Sequence, residues 1–198
     1  MKNSLLVMGA VALLSTAVIA GPNSSGAYVG AGFGTTGYED DDFVKKELLR
    51  FDLDKTDSGY KIYGGYQFNN IVGVEAGYTD YGTFTATQDY SQSSTSFSVG
   101  ANVGYSFLDG QLRPFGVVGL GYVTLDYENI PAVSIDDGAG AFHYGLGVQY
   151  EPDFLIGFGL RLAYEADLYA ITVTRLLAED ETYIQALGLL YLGVQYKF

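Results

Sequence analysis

The stretch 155–168, LIGFGLRLAYEADL, alternates with a period of two. Ile156, Phe158, Leu160, Leu162, Tyr164, Ala166 and Leu168 share one face; Gly157, Gly159, Arg161, Ala163, Glu165 and Asp167 share the other. A helix would mix these sets. A strand separates them, because successive side chains of a pleated chain point to opposite sides. The stretch 96–107 behaves alike: Phe97, Val99, Ala101, Val103, Tyr105 and Phe107 oppose Ser98, Gly100, Asn102, Gly104 and Ser106. Read this way, the chain predicts strands at 26–36, 58–68, 72–85, 94–107, 112–126, 139–150, 155–170 and 183–198. Long polar connections (37–57, 86–93, 127–138, 171–182) alternate with short turns at Asn69-Asn70, Asp109-Gly110 and Pro152-Asp153. That is an antiparallel up-and-down meander with all long loops on one side.

A repeat runs through it. LGVQY occurs at 146–150 and 192–196, with looser copies GYQF at 65–68 and GYSF at 104–107. The glycines Gly65, Gly104, Gly147 and Gly193 are spaced by 39, 43 and 46 residues. A propeller is the other fold of such a period. The alternating loop lengths and the continuous apolar face favour the meander. The four copies end strands two, four, six and eight, which run the same way and so finish at one rim. Parity turns each Gly and each Gln or Ser inward. It turns Phe68, Phe107, Tyr150 and Tyr196 outward, with Phe198 just below them, as an aromatic girdle at the short-turn rim.

The 198 residues suffice for one domain. Lys2, the apolar run Leu5–Leu14 and the small residues up to Ala20 read as a secretory signal, 1–20, cleaved after Ala20. The remainder, 21–198, is the barrel domain. Without Lys2 it keeps nine basic residues against 23 acidic ones. So acidic a chain does not favour a nucleic-acid partner, whose phosphates need a basic face. With no cysteine, thiol catalysis and cysteine metal sites are excluded. Tyr and Phe number 18 and 12, and Gly 27, so the wall must place many rings and many small residues.

Two architectures fit strands with one apolar and one small or polar face. A soluble barrel would turn the apolar face inward. A transmembrane barrel turns it to lipid and keeps the polar face in the lumen. Lys61, Glu75, Asn102, His143, Gln149, Arg161, Glu165, Gln185 and Gln195 all share the second face. Small residues and pairable polar groups suit a narrow lumen, and rings at the rim suit a membrane interface. The expected fold is therefore an all-β, eight-stranded antiparallel transmembrane barrel.

At this point the chain resembles the OmpA-like eight-stranded outer membrane barrel family. The resemblance is carried by GYKIYGGYQFNNIVGVEAGYTDYG (59–82), LRPFGVVGLGY (112–122), LRLAYEADLY (160–169) and GVQYKF (193–198). It implies a Gram-negative outer membrane, a periplasmic short-turn rim and a monomer among membrane lipids and lipopolysaccharide. It also implies that the barrel-assembly machinery reads the terminal Phe198. Larger members carry a peptidoglycan-binding domain after the barrel. Here the chain ends at the last strand, so that activity does not carry over.

Four inward charges form the candidate site: Lys61, Glu75, Arg161 and Glu165. An eight-stranded barrel is just wide enough for its side chains, and a buried charge must be paired. They read as a plug of ion pairs that fixes strand register. The alternative is a gate, in which Arg161 exchanges carboxylates and opens a narrow pore. His143 has no neighbouring Ser and points inward, so it reads as a satisfied lumen or rim histidine rather than a catalytic one. No enzyme activity, metal or cofactor is expected. Gly32-Phe33-Gly34-Thr35-Thr36-Gly37 matches GxGxxG, but an acidic segment follows where a dinucleotide site needs a helix. The segment 37–57 is the remaining candidate, as a surface adhesin or receptor contact or as a solvated loop. Its VKKELLRF could form a short helix with Val44, Leu48 and Phe51 on one side.

Overall fold

The alternation becomes eight strands: β1 (Gly26–Asp40), β2 (Thr56–Gln67), β3 (Val72–Thr87), β4 (Tyr90–Gly104), β5 (Leu112–Glu128), β6 (Gly138–Tyr150), β7 (Phe158–Val173) and β8 (Glu181–Lys197). They are seen in a computed structural model that describes residues 25–40, 56–87, 90–128, 138–173 and 181–198. The expected signal at 1–20 and most of the candidate segment 37–57 lie outside these residues. Neighbours in sequence pair antiparallel, and β1 closes on β8. The expected eight-stranded up-and-down barrel is the observed one.

Several strand ends differ from expectation: β1 runs on to Asp40 rather than 36, β4 begins at Tyr90 rather than 94, and β7 runs on to Val173 rather than 170. β4 stops at Gly104 rather than 107, and β7 begins at Phe158 rather than 155. The turns take these residues. Leu108, Asp109 and Gly110 adopt positive φ (51°, 57° and 96°), leaving Phe107 only an isolated bridge to Leu112. Before β7, a 3-10 turn at Asp153–Leu155 runs into Gly157 at φ 80°, where a side chain would strain the backbone.

The register sets the dimensions. Paired residues lead from Gly26 through Gln67, Gly73, Asn102, Val117, Gly145, Glu165 and Leu189 back to Thr36. One circuit thus climbs ten residues. Ten residues over eight strands tilts the strands by about 40° and leaves a lumen that side chains can fill.

The repeat now has a physical cause. In three copies the glycine lies beneath a large lumen side chain from a neighbouring strand. A Cβ at Gly65 would stand 2.7 Å from the Tyr28 hydroxyl, and one at Gly147 would stand 2.6 Å from the Phe115 ring. At Gly104 the obstacle is the Arg113 guanidinium, 2.8 Å away. Gly193 instead faces the β1 backbone, 2.9 Å from the Ala31 carbonyl. Two residues on, Gln67, Gln149 and Gln195 are buried in the lumen. Phe68, Phe107, Tyr150 and Tyr196 stand at the short-turn rim, where Tyr196 packs against Phe158 and Phe198. A second row of outward rings, including Phe33, Tyr60, Tyr78, Phe97, Tyr122 and Phe142, lies higher on the wall. The sequence reading found only the lower row.

Candidate functional site

The lumen is layered. At its centre, parity on β7 turns Arg161 and Glu165 to the same face, four residues apart. Glu75 reaches them from β3 and Lys61 from β2. Arg161 Nη1 donates to Glu75 Oε2 at 2.7 Å, and Nη2 donates to Glu75 Oε1 at 3.0 Å and to Glu165 Oε1 at 2.8 Å. Lys61 pairs with Glu165 and lies 3.7 Å from Glu75. The Arg161 guanidinium is sandwiched between the Tyr63 and Phe115 rings, 4.3 Å from each centroid. All four residues named from the sequence are buried and meet in one network.

Of the rest of that network, parity places Asn102, His143 and Asp167 on the inward face, but not in the ion-pair cluster. Tyr28 and Asn102 donate to Glu75 Oε2 at 2.8 and 3.1 Å. Tyr191 donates to Glu165 Oε1 at 2.6 Å. Above them His143 bridges two carboxylates: Nδ1 is 2.8 Å from Asp167 Oδ1, and Nε2 is 3.2 Å from Glu165 Oε2. Tyr81 donates to Asp167 Oδ2 at 2.7 Å. Ionised carboxylates only accept, so this arrangement is satisfied when both ring nitrogens carry hydrogens. Lys61, Arg161 and the His143 ring thus share three carboxylates, Glu75, Glu165 and Asp167. His143 is therefore a buried member of the ion-pair layer, not a rim residue. The missed signal was register: His143 and Asp167 are directly opposed across β6 and β7.

Below the centre, Arg113 forms a floor. Its Nη1 donates to Asn102 Oδ1 and Gln149 Oε1, both at 2.8 Å. Its Nη2 donates to the Ile71 carbonyl in the β2–β3 turn at 3.3 Å. Lys197 donates to Gln67 Oε1 at 3.1 Å and lies 4.0 Å from Glu151. Glu151 sits in the β6–β7 turn. Burial holds its carboxyl above the usual carboxylate range, against the opposing pull of Lys197 and of the hydrogen bond from Gln195. Above the charged layer Val123, Leu125 and Leu187 are buried beside polar side chains, Gln92, Ser94 and Gln185. Among the described residues no group of three or more His, Asp or Glu side chains is disposed to hold a metal ion.

What these layers can do chemically is occlude. Large side chains from opposite walls meet on the axis, each held by several partners. No curated protein sequence matches the chain. Among solved structures, Ail of Yersinia pestis in complex with the heparin analogue sucrose octasulfate aligns with a TM-score of 0.54. Its identity is 20%, over 88% of this chain and 99% of that one. OprG of Pseudomonas aeruginosa aligns at 0.56 and 12% identity, over 88% and 97%. Neisserial surface protein A aligns at 0.54 and 18%, over 88% and 99%. At these identities the likeness is one of fold. Residues 5–198, nearly the whole chain, match the description of a single family. With its closed eight-stranded wall, apolar outside and ion-paired within, the chain belongs to the outer membrane protein beta-barrel domain family.

Proposed function

We propose that the protein is a sealed barrel that supports the integrity of the outer membrane and displays its long loops at the cell surface. One observation carries this reading: Arg161, with 0% of its surface exposed, is pinned on the axis by two carboxylates and two aromatic rings. Moving it requires breaking several charge-assisted hydrogen bonds at once, so conduction through the resting barrel is disfavoured. The test is single-channel conductance of the refolded chain in a planar bilayer, beside Arg161→Ala and Glu75→Ala. The expected result is a silent parent chain, with folding checked by heat-dependent gel migration. Discrete openings of the parent, altered by either substitution, would replace the plug with the gated-pore reading.

Ligands of the structural neighbours are not carried over. Ail is seen with a sulfated saccharide analogue. This chain has a formal net charge of −13, which repels a polyanion. A surface adhesin or receptor role would rest on the segment 37–57, of which 41–55 is outside the described residues. Phe198 fits a handle for the assembly machinery. Its amide closes the barrel floor on the Ala27 carbonyl at 2.8 Å, and its ring packs edge-on against Tyr196.

A further inference from the structure

The outward face of the barrel is lopsided. On β3–β4 the outward pairs are apolar up to Tyr78–Phe97; Asp80–Thr95 and Thr83–Ser93 follow. On β7–β8, Tyr164–Leu190 is followed by Ala166–Gly188, Leu168–Ala186 and Ala170–Ile184, none of them polar. Each step to the next strand climbs by ten-eighths of a residue, so Tyr78–Phe97 and Tyr164–Leu190 stand at about one height. Above that height one side of the wall becomes polar while the other stays apolar for roughly 10 Å more. The top of this face is open, with Leu168 38% and Ile184 57% exposed; beneath it Ala166 and Gly188 are buried, and Tyr164 lies over Gly188. On β7 the non-polar outward face runs from Phe158 to Ala170, about 30 Å along the barrel axis against a usual apolar band of about 25 Å.

We infer that acyl chains of the outer leaflet climb this face, so that the membrane boundary is stepped around the barrel, higher along β7–β8 than along β3–β5. Lipid is the occupant because the upper face continues the lipid-facing belt of the same two strands without a polar row between them. Leu160, Leu162 and Leu190 below lead directly to Leu168 and Ile184 above. A step of this kind makes the bilayer thicker on one side of the barrel than on the other. It gives a barrel with no lumenal passage a way to order the lipid around it. The inference rests on the membrane placement of the chain and not on whether the lumen conducts.

The chain has no cysteine, so single sites can be labelled directly. Nitroxides at Leu168→Cys and Ile184→Cys are compared with nitroxides at Thr95→Cys and Thr124→Cys. The chain is refolded into palmitoyl-oleoyl phosphatidylcholine vesicles. Power saturation then reads collisions with oxygen, which partitions into lipid, and with a water-soluble nickel chelate. All four positions face outward, so labels there leave the lumen packing intact, and gel migration confirms folding. The expected result is an oxygen-to-nickel ratio several-fold higher at 168 and 184 than at 95 and 124. Equal ratios at all four sites would place the upper face in water and overturn the inference. Shielding of 168 and 184 from both reagents would also overturn it, since protein, from a second copy or another part of this chain, would then cover the face.

Discussion

Two layers of the lumen obey opposite rules. In the central layer the interior is charged and the outer wall is apolar, as at Arg161 and Glu165 on β7 with Leu160, Leu162 and Tyr164 outside. In the upper layer on β5 the pattern inverts. Val123 and Leu125 are buried inside, while Thr124 and Asp126 face out. Strand geometry is the same in both; the medium outside differs. Next to lipid, polar groups can only gather in the lumen and must pair there. Above the membrane the outside is water, and on β5 apolar side chains can turn inward. β7–β8 breaks the β5 pattern by being apolar on both faces, with Leu187 and Leu189 inside and Leu168 and Ile184 outside. That exception is what the proposed stepped boundary explains.

The sharpest way to break this comparison is to delete one charge from the central layer. Glu75→Ala leaves a fully buried guanidinium with Glu165 as its one carboxylate partner and removes the acceptor used by Tyr28 and Asn102. Removing one partner of a buried pair costs about 3–5 kcal/mol, because the other charge is left uncompensated. Urea unfolding of the barrel in lipid vesicles should show that loss. Replacing both partners, Glu75→Leu with Arg161→Met, leaves no orphan charge and should recover most of it. If the double variant is as unstable as the single one, the layer is held by shape rather than by charge balance.

The same operation in the upper layer should cost less. Leu187→Ala leaves a void but strands nothing, and this layer borders the loop-end rim, where the surroundings can relax. A loss of about 2–3 kcal/mol is expected, at the lower end for buried leucine truncation. The same unfolding experiment checks it. A loss as large as that of Glu75→Ala would show that the two layers are equally rigid and that charge adds nothing special at the centre.

Period-two parity made the wall and the four named charges legible, because lipid forces a clean separation of faces. It did less well where that force is absent. The run Leu187 to Leu192, LGLLYL, is apolar on both faces, so hydrophobicity alone cannot say which leucines enter the lumen. Val123 and Leu125 alternate with polar residues, but in the inverted sense. Tyr28, Tyr63, Tyr81 and Tyr191 look like residues for the lipid side. They enter the lumen because their hydroxyls find carboxylates or amides across the barrel. Such pairings depend on register, which the sequence carries only through its turns. Hence Asp167 lay on the charged face by parity, yet its bond to His143 was not visible.

The floor offers the finest test, because it lies between the charged layer and the solvent at the short-turn rim. Glu151 is partly exposed, and burial raises its carboxyl above the ordinary range while Lys197 and Gln195 oppose the shift. A carboxyl raised in the folded state holds its proton more tightly folded than unfolded. Its contribution to stability is therefore fully present below the unfolded pKa and is lost as pH rises through the folded one. Glu151→Gln keeps an oxygen that can accept from Gln195 Nε2 and removes the ionisation. Measured against the parent between about pH 4 and about pH 7, the variant should gain stability toward the upper end and nothing at the lower. If the variant is instead less stable than the parent at the upper end, the ionised carboxylate is favoured by Lys197 more than burial opposes it. The floor would then belong with the paired central layer rather than at its solvent boundary.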